Sequence, residues 1–281
     1  MYKNLSMNAL GHSVTFEETC ALARRYNFAG VELDLQFLRG LGSDQVAADW
    51  FGAFELNPGG YVLNAAWRES NSEDDFVESL EVVAADAKLA AALGSKRCQT
   101  WVLPRSESLD FYQHFDLVVP RLSRVAGVLA MHGIMLGFEF FGPSTMRTRP
   151  CKDFVHSLDA MRTFAATIGM HSLNTGIVLD TFHWYTSGST VADIEHLDHN
   201  EVVSVHVNDA KIGRQVDEQL NHEREMVGAT GLINIDGFLA ALRTIGYAGP
   251  ITVEPFNAEI ATMSRHSAAA TASSALDLAL A

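Results

Sequence analysis

The 281-residue sequence is short of cysteine and of positive charge, and it has neither a long uncharged apolar run nor a glycine-rich phosphate loop. Each shortage closes off a class of function. The three cysteines, Cys20, Cys98 and Cys151, are an odd number, stand far apart and show no C-x-x-C spacing, so they read as packing residues. Lys and Arg number 20 against 34 Asp and Glu; a net charge of −14 repels a phosphate backbone, so no nucleic acid partner is expected. No segment holds about 18 uncharged apolar residues in a row, and the opening MYKNLSMNALGHS lacks the apolar stretch and cleavage site of a secretory signal. The expectation is a cytoplasmic protein with no membrane partner. With neither G-x-G-x-x-G nor G-x-x-x-x-G-K-S/T present, a dinucleotide- or NTP-dependent reaction has no support.

What is present is an alternation. Short β-rich apolar runs, at Asn4–Leu10, Val31–Leu35, Tyr61–Ala66, Arg97–Leu103, Ile134–Phe141, Gly176–Asp180, Val202–Val207 and Ile251–Glu254, are separated by segments of helical period. The helical segments are Thr15–Tyr26, Asp44–Leu56, Glu73–Leu93, Ser108–His132, Asp153–Ile168, Val191–His196, Asp236–Ile245 and Glu259–Leu280. Thr15 followed by Glu18 reads as a capping box, Gly30 closes that first unit, and Gly94, Gly133, Gly169 and Gly246 read as helix C-caps. Eight βα pairs predict an α/β fold, a single (β/α)8 TIM barrel over residues 1–281, and about 250 residues is an ordinary length for one such domain. The first strand is polar, and the Ala/Ser-rich end, SAAATASSALDLALA, also has the composition of a frayed tail. Beyond the βα alternation there is no internal repeat, and no linker divides the chain.

In such a barrel the chemistry lies at the C-terminal ends of the strands, so an ionisable residue late in an apolar strand is a candidate for it. Four consecutive strands supply one: Glu139 in IMLGFEFFGP, Asp180 in GIVLDTFHWY, His206 in VVSVHVNDA and Glu254 in ITVEPF. A charge in a buried run costs several kcal/mol, about 3–5, unless it is paired or holds a cation. Three carboxylates and an imidazole suit Mn²⁺, Mg²⁺, Co²⁺ or Zn²⁺, and the lack of a thiolate argues against a structural zinc site.

These strand ends, with His183 three residues after Asp180 and the segment REMVGATGLINIDGFLAALRTIGYAGPITVEPF, resemble the xylose-isomerase-like barrel superfamily. The resemblance covers nearly the whole chain and is closest to the sugar isomerase/epimerase branch, which includes D-tagatose 3-epimerase and hydroxypyruvate isomerase. That branch carries an Arg and a Pro-Gly-x-Gly turn before the penultimate helix, matched here by Arg224 and Gly228–Gly231, with Val227 in place of the Pro and a slightly looser loop expected. The resemblance implies one divalent metal, Mn²⁺ first among the candidates, held by Glu139, Asp180, His206 and Glu254, with Glu139 and Glu254 also moving protons. The implied activity is isomerisation or epimerisation of a small sugar or polyol-derived ketone, and a homodimer or homotetramer is implied as well.

The chemistry is consistent with that set. Epimerising a carbon beside a ketone, or shifting the ketone, requires removal of the α-proton and stabilisation of the enediolate. Carboxylates on the fifth and eighth strands face each other across a barrel mouth and address opposite faces of a planar enediolate, although an isomerase needs only one of them. His183 is placed to hold a substrate hydroxyl or the developing oxyanion, and Arg224, in DEQLNHERE, to bind a substrate oxygen or phosphate as a forked donor. Arg147 is a weaker candidate of the same kind; some epimerases have a substrate-contacting Glu six residues past the first ligand, where this chain has Thr145. Glu32, preferred over Asp34 in VELDL, is a candidate substrate or second-sphere contact. Trp101 and Trp67 end strands where aromatic faces wall sugar pockets, and His12 follows the first strand. A dehydratase or lyase on a keto-polyol such as an inosose would use the same ligands. An endonuclease resembling endonuclease IV is disfavoured by the acidic charge and the missing ligands on early strands. A non-catalytic subunit is disfavoured because every catalytic position is filled.

Overall fold

Eight parallel strands close into a barrel in the computed structural model, which describes residues 1–148 and 150–281. They are β1 (Tyr2–Leu5), β2 (Gly30–Glu32), β3 (Asn57–Val62), β4 (Arg97–Val102), β5 (Met135–Phe140), β6 (Thr175–Asp180), β7 (Val202–Val207) and β8 (Pro250–Val253). Each pairs with the next in sequence, and β8 returns to β1 with Tyr2 opposite Pro250. The surrounding helices are α1 (Phe16–Arg25), α2 (Leu35–Arg39), α3 (Asp44–Gly52), α4 (Glu73–Ala92), α5 (Phe111–Ala130), α6 (Leu158–Ile168), α7 (Thr181–Thr186), α8 (Val191–Glu195), α9 (Ile235–Thr244), α10 (Ala258–Thr262) and α11 (Arg265–Leu280). Their apolar stripes face the strands; Phe16, Cys20, Leu22 and Ala23 of α1 are all buried. The 20-residue helices α4 and α5 each begin with a reciprocal capping box, Ser72 with Asp75 and Asp110 with Gln113.

The expected eight-unit barrel is therefore present, with its boundaries moved for identifiable reasons. The first strand stops at Leu5 rather than Leu10, because the Met7 carbonyl accepts the amides of both Leu10 and His12 and turns the chain. β2 ends at Glu32 instead of Leu35: Asp34 accepts the Phe37 amide at 2.9 Å and caps α2, which hydropathy did not indicate. The third strand lies four residues before the expected Tyr61–Ala66. Pro58, Gly59 and Gly60 read as breakers, yet a Cβ at Gly59 would overlap the buried Asn4 amide, so this strand needs glycine in order to fit.

The expected helix Asp153–Ile168 begins only at Leu158, because Lys152–Asp153 pairs antiparallel with Arg105–Ser106 in a two-residue ribbon. Glu259–Leu280 splits into α10 and α11 at Met263, whose extended backbone leaves Ser264 as the cap of α11. That last helix is no frayed tail: Ala268, Ala269, Ala272 and Leu276 are buried on it. The Thr15 box forms only by half. Thr15 accepts the Glu18 amide, while the Glu18 carboxylate pairs with Arg265 at 2.6 Å. Gly30 lies inside β2, and Asn27 takes the left-handed turn after α1. Gly94, Gly133 and Gly246 close their helices with positive φ; Gly169 does not, and is held to glycine by the Thr175 side chain against it.

Candidate active site

Glu139, Asp180, His206 and Glu254 converge at the C-terminal mouth of the barrel, each offering one ligand atom within 4.8 Å of the others. The barrel register produces this. Asp180 stands opposite His206 across the β6–β7 ladder, Glu139 pairs with Trp101 and Val178, and the Glu254 amide donates to the Val207 carbonyl one step beyond β8. His206 Nδ1 lies 3.2 Å from Glu139 Oε1 and 3.7 Å from Glu254 Oε2. An oxygen and imidazole set of this kind, without thiolate, is the donor chemistry of a hard or borderline divalent cation.

Positive charge threads the cluster. Arg224, buried in full, places Nη1 3.1 Å from Asp180 Oδ2 and 3.0 Å from Glu254 Oε2. Its Nη2 donates to Asn221 Oδ1 at 2.8 Å and to His183 Nε2 at 3.2 Å. Burial pushes His183 down to about 4, more than the opposing pull of Asp180, so the ring is neutral and its Nε2 accepts from the guanidinium. His183 Nδ1 then carries the proton and has no partner among the described residues. Burial would also lower His206, but Glu254 and Glu139 outweigh it and push this imidazole up to about 10. Burial and the neighbouring Glu139 raise Glu254 to about 7, against His206 and Arg224. Asp180 is held below the usual carboxylate range: burial opposes this, but Arg224, His183, His206 and the His183 amide together prevail.

Asp180 has a second task. Its Oδ1 accepts the amides of Phe182 at 2.8 Å and His183 at 3.0 Å, which caps α7 and fixes His183 one turn away. Asn208 holds the other oxygen, donating from Nδ2 to Asp180 Oδ2 at 2.9 Å and to the Glu254 carbonyl at 3.2 Å.

A cavity of about 230 Å³ opens above Glu139, His206 and Glu254. Glu32 lines it, fixed by Ser6 Oγ at 2.6 Å and Gln99 Nε2 at 2.8 Å, and the exposed Trp101 and Phe256 stand at its rim. Of the expected substrate contacts, Glu32 and Trp101 therefore face the cavity. His183 and Arg224 do not: they lie below it, with the guanidinium 4.9 Å from the Phe182 ring centre and 4.6 Å from that of Phe256. The remaining candidates have local partners. Asp34 caps α2, His12 Nε2 lies 3.0 Å from the Ile260 carbonyl, Arg147 donates to the carbonyls of Gly142 and Pro143, and Thr145 donates to the Gln219 carbonyl. Trp67 is buried, with Arg68 between its face and that of Trp101.

Sequence reasoning passed over Ser6, Gln99, Asn208, Asp209 and Phe256. Asp209 is buried and accepts four backbone amides, from Ala210, Ile233, Thr230 and Gly231, which tie down the Gly228–Gly231 loop. The loosening expected from Val227 is thus countered by a carboxylate, with Val227 itself buried. Phe256 holds a left-handed φ of 38°, costly for an aromatic residue and here located at the cavity rim.

Compared with known proteins, residues 20–278 match the family described as xylose isomerase-like TIM barrel. The inosose isomerase of Halalkalibacterium halodurans is 28% identical over 154 residues, which cover 54% of this chain and 50% of that protein. The chain thus spans about half the length of the curated relatives it matches. A xylose isomerase domain protein from Alicyclobacillus acidocaldarius superposes with a TM-score of 0.88 at 25% identity, covering 99% of this chain and 98% of the other. The IolI protein, solved with a zinc atom bound, superposes at 0.81 with 18% identity, covering 100% and 98%.

Proposed function

The chain belongs to the xylose isomerase-like TIM-barrel family, and from that premise we propose that it is a divalent-metal-dependent isomerase or epimerase of a small sugar or keto-polyol. The observation that carries this reading is the convergence of Glu139, Asp180, His206 and Glu254, of which Glu139, His206 and Glu254 line a cavity of about 230 Å³. These four would hold the ion, with Mn²⁺ favoured by the oxygen-rich set and Zn²⁺ supported by its presence in a protein of the same fold. When bound, the ion would supply the positive charge that steadies the substrate's carbonyl and neighbouring hydroxyl oxygens as an enediolate develops.

The chain's own residues do the rest. Glu139 and Glu254 reach the cavity from β5 and from just beyond β8, both beside His206 Nδ1, so one takes and keeps the proton from one face of the α-carbon while the other delivers a proton of its own to the opposite face. Glu32, already holding Ser6 and Gln99, accepts a substrate hydroxyl, and Trp101 lies against the ring's apolar face. The similarity to inosose isomerase favours a cyclic polyol ketone.

The test is α-carbon exchange in D₂O over a panel of ketoses and inososes, using chelator-stripped protein with and without Mn²⁺, beside Glu254→Gln. Deuterium incorporation that needs the ion and disappears in the variant, with an epimer or isomer accumulating, is the expected result. An unsaturated, dehydrated product would replace the isomerase with a lyase, and no exchange on any ketone would overturn the reading.

A further inference from the structure

A second cavity, of about 600 Å³, adjoins the catalytic one, and Ser6, Asn8, Glu32 and Val62 line both. The Ser6–Glu32 hydrogen bond forms the sill between them. The larger space lies over the ends of β1 to β3, beside α2 and α4, and nothing in the chemistry above uses it. Its wall includes two buried polar residues, Tyr61 and Asp86, 2% and 4% exposed: the Tyr61 hydroxyl turns to the Cys98 thiol, and Asp86 Oδ1 has no aligned hydrogen bond among the described residues. Arg39 Nη1 approaches that Asp86 oxygen at 3.0 Å, an ion pair without hydrogen-bond alignment. Unsatisfied polar groups at buried positions cost about 1–3 kcal/mol each and call for a ligand or another reason to persist.

The lining describes that ligand. Tyr61 stays protonated, since burial and the adjacent Cys98 thiol both raise it, and adds no charge to the wall; Asp86 accepts, Arg39 and Asn64 bring donors, and Val62 an exposed apolar face. Asp34, Asp86 and Glu32 outnumber Arg39, which rejects phosphate or carboxylate. Closely spaced donors and acceptors over an apolar patch, with negative charge in excess, suit a neutral hydroxylated ring. We infer that this cavity binds a glycosyl unit attached to the reacting keto-sugar, so the preferred substrate is a neutral two-ring ketone lying across the Ser6–Glu32 sill. This rests on the isomerase reading for the first ring only.

The test is calorimetric titration of D-fructose, D-tagatose, and the ketodisaccharides lactulose and turanose into the Mn²⁺-loaded protein, Asp86→Asn and Gln36→Trp. Gln36 is exposed at the cavity's outer edge, so the indole fills the space without entering the core or touching the catalytic groups. The disaccharides should bind at least about tenfold more tightly than the ketohexoses, and both variants should remove that gain while leaving ketohexose affinity within about twofold. Equal affinity for one and two rings in the unaltered protein, or variants that weaken both classes alike, would overturn the inference. So would methyl glucoside binding to ketohexose-saturated protein without any disaccharide gain, which assigns the cavity to a separate sugar. Disaccharide preference without deuterium exchange would keep the second ring and remove the isomerase, whereas exchange on ketohexoses without that preference does the reverse.

Discussion

Asn208 shows how much of the site depends on a single amide. By donating to Asp180 Oδ2 and to the Glu254 carbonyl, it keeps two of the four candidate ligands in register. Asn208→Ala should leave the barrel folded and lower divalent-ion affinity about 10- to 100-fold, as loss of such an outer partner commonly does; titration of stripped protein with Mn²⁺ measures it. Asp86 makes the opposite case. Its pKa is raised, chiefly by burial and against Arg39, so the folded chain binds this proton more readily than the unfolded one. Below the ordinary carboxylate range the group is neutral in both states and has no effect; as pH rises through that range the unfolded form ionises first and stability falls. Asp86→Asn should therefore raise the urea midpoint at pH 7 and lose that gain below about pH 4; a lower midpoint at pH 7 would make Asp86 a structural residue. The four strand-end candidates that the barrel brings together were legible in the sequence because each interrupts an apolar run. Asn208, Ser6 and Gln99 were not, since what an amide or hydroxyl does depends on where it points.

The same contrast holds for whole elements. Hydropathy located eight strands and most helices, because a barrel strand is apolar on both faces and its helix on one. It missed α2 and α7, short helices whose beginnings are fixed by the side chains of Asp34 and Asp180 rather than by any periodic stripe. It also left open whether the Ala-rich C-terminal segment is folded. In α11 small residues serve close packing: Ser273 Oγ donates to the Tyr26 carbonyl at 2.6 Å, Lys3 reaches Asp277 at 2.6 Å, and Leu276 is fully buried. Leu276→Ala should cost about 3 kcal/mol in urea denaturation, a normal value for a buried leucine. A change under about 0.5 kcal/mol is what a loosely attached tail would give.

At the scale of the molecule, the chain carries a net charge of −14, and three of the carboxylates counted in it gather at the barrel mouth. Folding brings Glu139, Asp180 and Glu254 together against their repulsion, with Arg224 and His206 as the only cations placed among them by the described residues. A divalent ion bound there belongs to the folded state alone, so it should stabilise the chain by about 2.7 kcal/mol at a free concentration about 100 times its Kd. For a domain of this size that corresponds to a rise in Tm of about 5 °C. Scanning calorimetry of chelator-stripped protein with and without Mn²⁺ measures it, and Glu254→Gln should lose most of the rise. Salt separates the two sources of attraction. The long-range field of the acidic surface is screened over about 8 Å at physiological ionic strength, whereas ligands in direct contact are not. The stabilisation should therefore shrink only modestly between 50 and 500 mM NaCl, with those concentrations chosen to cross about that screening length. If it vanished at the higher salt and survived in Glu254→Gln, the ions would be condensing on the acidic surface, and the four strand ends would not be a metal site.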